Sequence, residues 1–187
     1  MPKMSAALLL AADITEVRLI SYPFSAEARG LVEAPPEVVF AFLDDQENLS
    51  SHMSKPSGMM LGTTMNITME PDHTKRVGSR FGFRGSLLGV PLKVDEVVTS
   101  RTPPSSKTWE TTEEPKLWVI GRYGMGFEVV PQGSRSELRV YIGYDRPAGI
   151  LGGVLGRLFG PAYARWCTRI MVNDAAKHFG HAAAELA

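Results

Sequence analysis

Asp174 and His178 stand four residues apart in a stretch that reads as helix, so both fall near the middle of its apolar face, one turn apart. A carboxylate so placed can orient an imidazole as a general base. The same spacing equally describes an i,i+4 pair at the wetter end of the helix, beyond the edge of whatever it packs against. Glu96 is the other buried-acid candidate: it shares a phase with Leu92, Val94 and Val98, and it lies inside unless a bulge at "DEVV" turns it outward. Cys167, the only cysteine, sits mid-stripe on the same helix with no base in reach, which reads as a small hydrophobe before it reads as a nucleophile. His52 and His73 fall in loops, His73 within the solvated turn "PDHTK", and Arg80, Arg84 and Arg122 read as the wet face of a sheet.

The elements that must hold these groups fit one domain. At 187 residues the chain can bury a core without disulfides or metal, and no Cys/His pair stands at zinc spacing. Twenty basic and twenty acidic residues cancel, which argues against nucleic acid as a partner. The opening "MPKMSAALLLAADITEV" has one short apolar run, Ala6 to Ala12, and no convincing cleavage site, and no run approaches the length of a spanning helix. The expectation is a cytoplasmic protein. Residues 1–24 are expected to form an N-terminal arm or an extra edge strand, and 25–187 the folded domain.

Between Met60 and Asp145 the chain is interrupted by "PDHTKR", "GSLLGVP", "TPPSSK", "EEP" and "PQGSRS", and the side chains between these breaks alternate as antiparallel strands do. Phe81 and Phe83 share one face, as do Tyr123, Met125, Phe127 and Val129, and as do Leu138, Val140, Ile142 and Tyr144. "SAEARGLVEA" adds a strand, making seven. It runs straight into "EAPPEVVFAFLDDQEN", where Pro35 and Pro36 end the strand and open a short helix that the acidic and amide residues then stop.

From Pro161 onward strand signal vanishes, and Tyr163, Trp166, Cys167, Ile170, Met171, Ala175 and Ala182 form the apolar face of a long helix, with Arg165 and Arg169 opposite. The preceding "AGILGGVLGRLFGP" carries glycines at intervals of three or four, a spacing of close packing and a cost in helix stability. It is expected to be bent or mobile: a lid, a membrane-touching surface, or a loop under the sheet end.

The succession of strand, two short helices, six antiparallel strands and long terminal helix resembles the helix-grip fold of the START-related (SRPBCC) superfamily, polyketide cyclase/dehydrase-like branch. "GLVEAPPEVVFAFLDDQENLSSHM", "VDEVVTSRTPP" and "ARWCTRIMVNDAAKHF" carry the likeness. The resemblance implies an α+β fold in which a seven-stranded curved antiparallel sheet wraps around the C-terminal helix and leaves a cavity for an apolar guest. On that reading Met65, Met69, Phe81, Phe83, Tyr123, Met125, Phe127, Trp166, Ile170 and Met171 line the cavity, and Met53, Met59, Met60 and His52 stand near its mouth. Methionine suits a guest of imprecise shape, although methionine at strand and helix spacing is also ordinary core. The implied function is binding or transport of a hydrophobic or amphipathic molecule such as a lipid, sterol or polyketide. The alternative is a cofactor-independent cyclase or dehydratase using Asp174, His178 or His52 as acid/base groups. A cavity above ~300 Å³ fits either. No cofactor, metal or nucleic acid is expected, and membrane contact only in passing.

Overall fold

The computed structural model describes residues 22–50, 65–87 and 89–185. Strand β1 (Phe24–Val32) stops where expected. Pro35 stays extended at φ −68°, ψ 157°, and Pro36 opens helix α1 (Pro36–Asp44) at a position where a missing N–H costs nothing. Asp45 then does two jobs. Its extended backbone at φ −80°, ψ 114° ends α1, and its carboxylate accepts the Glu47 N–H at 3.0 Å, capping the single turn α2 (Gln46–Leu49). The expected mouth residues His52, Met53, Met59 and Met60 lie outside the described residues, as does most of the expected N-terminal arm.

Six further strands follow: β2 (Met65–Met69), β3 (Arg80–Leu87), β4 (Val90–Thr102), β5 (Ser106–Thr111), β6 (Tyr123–Gln132) and β7 (Arg135–Tyr144). They form one antiparallel sheet in the order β1-β7-β6-β5-β4-β3-β2, so β1 closes onto the last strand and the rest are sequential hairpins. Every predicted break contains a junction between strands, although "GSLLGVP" and "PQGSRS" also supply the ends of the strands they join. Gly133, at φ +68°, supplies the left-handed residue of the tight β6–β7 turn. The "EEP" break is longer than expected and runs from Thr112 to Arg122, carrying Leu117 and Ile120 back over the inner face. The outer face is wet: Arg139 joins Glu27 at 2.7 Å to Glu128 at 3.2 Å, and Arg84 and Lys93 both pair with Asp95.

Helix α3 (Gly149–Glu185) starts twelve residues earlier than Pro161, so the glycine-rich segment is helix rather than a loop. Pro161 lies inside it and removes the hydrogen bond that the Arg157 carbonyl would accept. The helix rests mainly on β1, and the reason is size. The inward positions of β1 include Ala26, Ala28 and Gly30, while α3 buries Ala164, Thr168, Val172 and Ala175. Thr168 satisfies its hydroxyl on the Ala164 carbonyl at 3.2 Å. The buried stripe is therefore rotated from the expected one, and Tyr163, Trp166 and Ile170 end half-buried at its margin.

The closest approach is at Gly30, where a Cβ would sit 2.6 Å from Val172 Cγ1. Gly30→Ala is expected to cost about 1–3 kcal/mol by forcing helix and strand apart. Urea unfolding measures this directly, and a companion Val172→Ala change should recover part of the loss.

Inside one end of the sheet, Lys107 is fully buried and yet cationic in its contacts. Its Nζ donates to the Asp44 carbonyl oxygen at 2.5 Å and to Thr74 Oγ1 at 2.9 Å, and it stands 3.3 Å from the Asp44 carboxylate. Arg101 clamps the same carboxylate through two bonds of 3.0 and 2.7 Å. Four segments meet here: α1, β4, β5 and the 70–79 turn, whose His73 and Thr74 adopt φ of 52° and 67°. The cluster fixes where α1 ends and hence where α2 begins.

Candidate functional site

Between the inner face of the sheet and α3 lies a hollow of about 50 Å³. Its sheet wall includes Phe83, Val94, Trp109, Met125 and Ile142; α3 contributes Tyr163, Cys167 and Met171, and Leu117 and Ile120 close one side. Room for a few water-sized groups is far below the ~300 Å³ of a preformed pocket for a drug-sized molecule. Among the described residues, the space between sheet and helix is narrow. Small residues on β1 let α3 come close, and Trp109 and Tyr163 occupy much of the gap that remains.

The chemistry of the hollow is set by Glu96. The bulge in β4 falls between Val98 and Ser100, after Glu96, so the alternation of Leu92, Val94, Glu96 and Val98 is preserved and the carboxyl stays inside. It is 1% exposed, and burial pushes its pKa up to about 8. The Tyr123 hydroxyl and Trp109 indole restrain that rise by favouring the carboxylate, but neither carboxyl oxygen gains a hydrogen bond of good geometry. At neutral pH Glu96 is therefore mainly an uncharged acid, able to donate one O–H.

Its neighbours are silent as bases. Burial carries the Tyr123 and Tyr163 hydroxyls well above the usual phenol range, with Glu96 and Cys167 adding to the effect. The Cys167 thiol is pushed up to about 12 by burial despite a hydrogen bond with Tyr163, which leaves it inert as a nucleophile. At the α2 end, Gln46 donates to Ser50 Oγ at 3.1 Å, while its Oε1 is buried without a partner. A largely apolar hollow thus presents an acid donor and an amide acceptor beside the hydroxyls of Ser50, Tyr123 and Tyr163.

Of the ten residues expected to line a cavity, Phe83, Tyr123, Met125 and Met171 do so. Met65 and Phe127 are packed in the core, Phe127 against Phe40 with ring centroids 5.6 Å apart. Met69 and Phe81 border an open groove of about 330 Å³ near the sheet edge, among Thr68, Glu70 and Arg80, whose lining shares Glu96 with the hollow. Trp166 and Ile170 stand beside the hollow without lining it. The expected acid/base pair does not face the hollow. His178 is exposed and stacks on Phe42 at 4.2 Å, Asp174 is half-buried, and neither lines the space. His52 lies outside the described residues.

Trp109 and Gln46 were legible only in part. The alternation in "SKTWET" puts Lys107, Trp109 and Thr111 on one face, but a buried lysine there masks the signal. Gln46 sits in a run that reads as caps and turns. Among the described residues, Asp45, Glu47 and His73 bring possible metal-ligand atoms within 4.8 Å of one another, and none of the three lines the hollow. No described helix is long and apolar enough to cross a membrane.

No protein-family model matches the sequence, and no curated protein matches it. Solved structures match in shape. An aromatase/cyclase from a Streptomyces species superposes with a TM-score of 0.62 at 14% identity, over 84% of this chain and 93% of that one. Norcoclaurine synthase from Thalictrum flavum gives 0.59 at 14% identity over 82% and 91%, and a major latex-like protein from Panax ginseng 0.56 at 12% over 83% and 97%. The class defined is the α+β helix-grip fold: seven antiparallel strands, two short helices after the first, and a long C-terminal helix.

Proposed function

We propose that this protein binds a small amphipathic molecule between sheet and helix, with an apolar body and a hydroxyl or carbonyl at its buried end. The observation that carries the reading is Glu96, a buried and mainly uncharged carboxyl bordering an apolar hollow. An apolar lining with few polar anchors is the usual composition of a ligand site. The acid O–H suits a carbonyl or hydroxyl oxygen, and Gln46 Oε1 suits a hydroxyl hydrogen. The hollow must widen on loading, and Met125 and Met171 are the flexible parts of its wall. A lone buried cysteine fits a reducing compartment, so the proposed setting is the cytoplasm.

A second reading is favoured by the same pKa. A carboxyl that titrates at about 8 is poised to give or take a proton near neutrality, and an aromatase/cyclase and a synthase both share this fold. In that reading Glu96 is the acid of a cyclase or dehydratase acting on a polyketide-like or aromatic substrate.

Native mass spectrometry of protein from its own host, followed by extraction, tests both. The expected result is a bound apolar compound that disappears in Met171→Trp, a change that fills the hollow, with folding checked by circular dichroism. A bare protein that also ignores added hydroxylated or carbonyl-bearing apolar compounds would remove the binding reading. Turnover of the compound, lost in Glu96→Gln, would select the enzyme.

A further inference from the structure

The first three turns of α3 are built inside out. Gly152, Gly156 and Gly160 face the body of the protein, where an added Cβ would meet Pro147 Cβ at 2.9 Å, Pro147 Cδ at 2.8 Å and the Val119 carbonyl oxygen at 2.9 Å. All but Leu155 of the large apolar side chains of the same turns point to solvent: Ile150 is 91% exposed, Leu151 72%, Leu158 65%, Phe159 54% and Val154 51%. A helix that exists only to complete a domain buries its large residues and exposes its small ones. This one does the reverse.

Charge identifies the partner. From Arg146 to Asn173 the sequence holds four arginines and neither lysine nor acid, within a chain whose charges cancel overall. Arg157, Arg165 and Arg169 are exposed. Arg157 falls seven residues after Ile150 and Arg165 seven after Leu158, so both share the helix face of the aliphatic side chains. Shape narrows the choice further. The side chains form a ridge on the outward surface of one helix, and a ridge needs a groove in a folded partner but none in a fluid layer. In a twofold pairing of this face, the same arginines would stand against one another.

We infer that the 149–160 face of α3 inserts into the interface of a membrane containing anionic lipid. Ile150, Leu151, Val154, Leu158 and Phe159 enter the acyl boundary, and Arg157, Arg165 and Arg169 lie at phosphate level, as in helices that rest in the plane of a bilayer. The inference does not depend on what the hollow holds.

Co-sedimentation of the full chain with vesicles tests it. Wild type is expected to bind phosphatidylcholine vesicles that contain phosphatidylglycerol, more weakly as salt rises, and to bind pure phosphatidylcholine poorly. Leu151→Glu with Leu158→Glu, and separately Arg157→Glu with Arg165→Glu, should each weaken binding by at least about tenfold, while the urea midpoint stays at the wild-type value. Failure of wild type to bind the anionic vesicles overturns the inference, as does unchanged binding by both double variants. A wild-type dimer that the leucine double variant converts to monomer, without vesicle binding by either, assigns the face to a second copy and equally overturns it.

Discussion

Glu96→Gln is expected to flatten a stability profile that in the wild type falls by on the order of 5 kcal/mol as pH rises from 4.5 to about 8. The carboxyl titrates at its ordinary 4.5 when unfolded and at about 8 when folded. Between those values the folded chain holds a proton that the unfolded chain has lost. Stability therefore decreases with rising pH, at ~1.4 kcal/mol per pH unit, and the loss is complete once Glu96 ionises in the fold. Glutamine keeps the shape and the inability to ionise, so the slope disappears. The other shifted acids titrate elsewhere: Glu27, Asp44, Asp72 and Asp95 lie below their ordinary values, while Tyr123, Tyr163 and Cys167 lie above the interval. Urea unfolding across the interval, wild type against variant, reads the difference. Parallel profiles would mean that Glu96 is ionised or solvated in the fold, and with that both functional readings lose their anchor.

Asp44→Ala should be the most damaging single truncation at the other end of the sheet, at about 3–5 kcal/mol. Burial would raise the Asp44 carboxyl, but the Arg101 hydrogen bonds and the charges of Lys107 and Arg101 outweigh it and hold it below the ordinary value. Lys107 tells the opposite story. Burial lowers its pKa more than Asp44 raises it, so the ammonium is a net burden even when paired. Removing Asp44 takes away the carboxylate that touches that ammonium, leaves only the weaker influence of Asp45, and frees Arg101. Asp44→Ala combined with Lys107→Met is expected to regain much of the loss, because replacing a buried charge by an apolar chain of similar volume is often neutral or better. A double variant as unstable as the single one would show that Asp44 acts through the end of α1 rather than through the lysine. The cluster matters to the hollow through chain connectivity: Asp44 ends α1, Asp45 caps α2, and the next residue is Gln46.

Periodicity reveals the first of these groups only conditionally and the second not at all. Alternation identifies Glu96 as inward only if no bulge precedes it, and "DEVV" does not announce that the irregularity falls two residues later, between Val98 and Ser100. Asp44, Arg101 and Lys107 are unremarkable in the sequence, since 57 and 63 residues separate the partners.

What the sequence determined by itself were the features that depend on short range. The two prolines set the strand-to-helix corner, the turn clusters set the number of strands, and the alternation of Phe81, Phe83, Met125 and Phe127 set which face is apolar. Those choices follow from backbone sterics and a period of two, which act over a few residues. The tertiary structure alone decided the rotation of α3, the size of the hollow and the direction of the glycine-rich turns. Close approach at Gly30 and Val172 brings the helix onto β1, and Gly152, Gly156 and Gly160 packed against Pro147 and Val119 leave Ile150 and Leu158 facing away from the body. A helical stripe fixes which residues share a face but not which face is pressed inward; that is settled by how closely the opposing surface lets the helix approach.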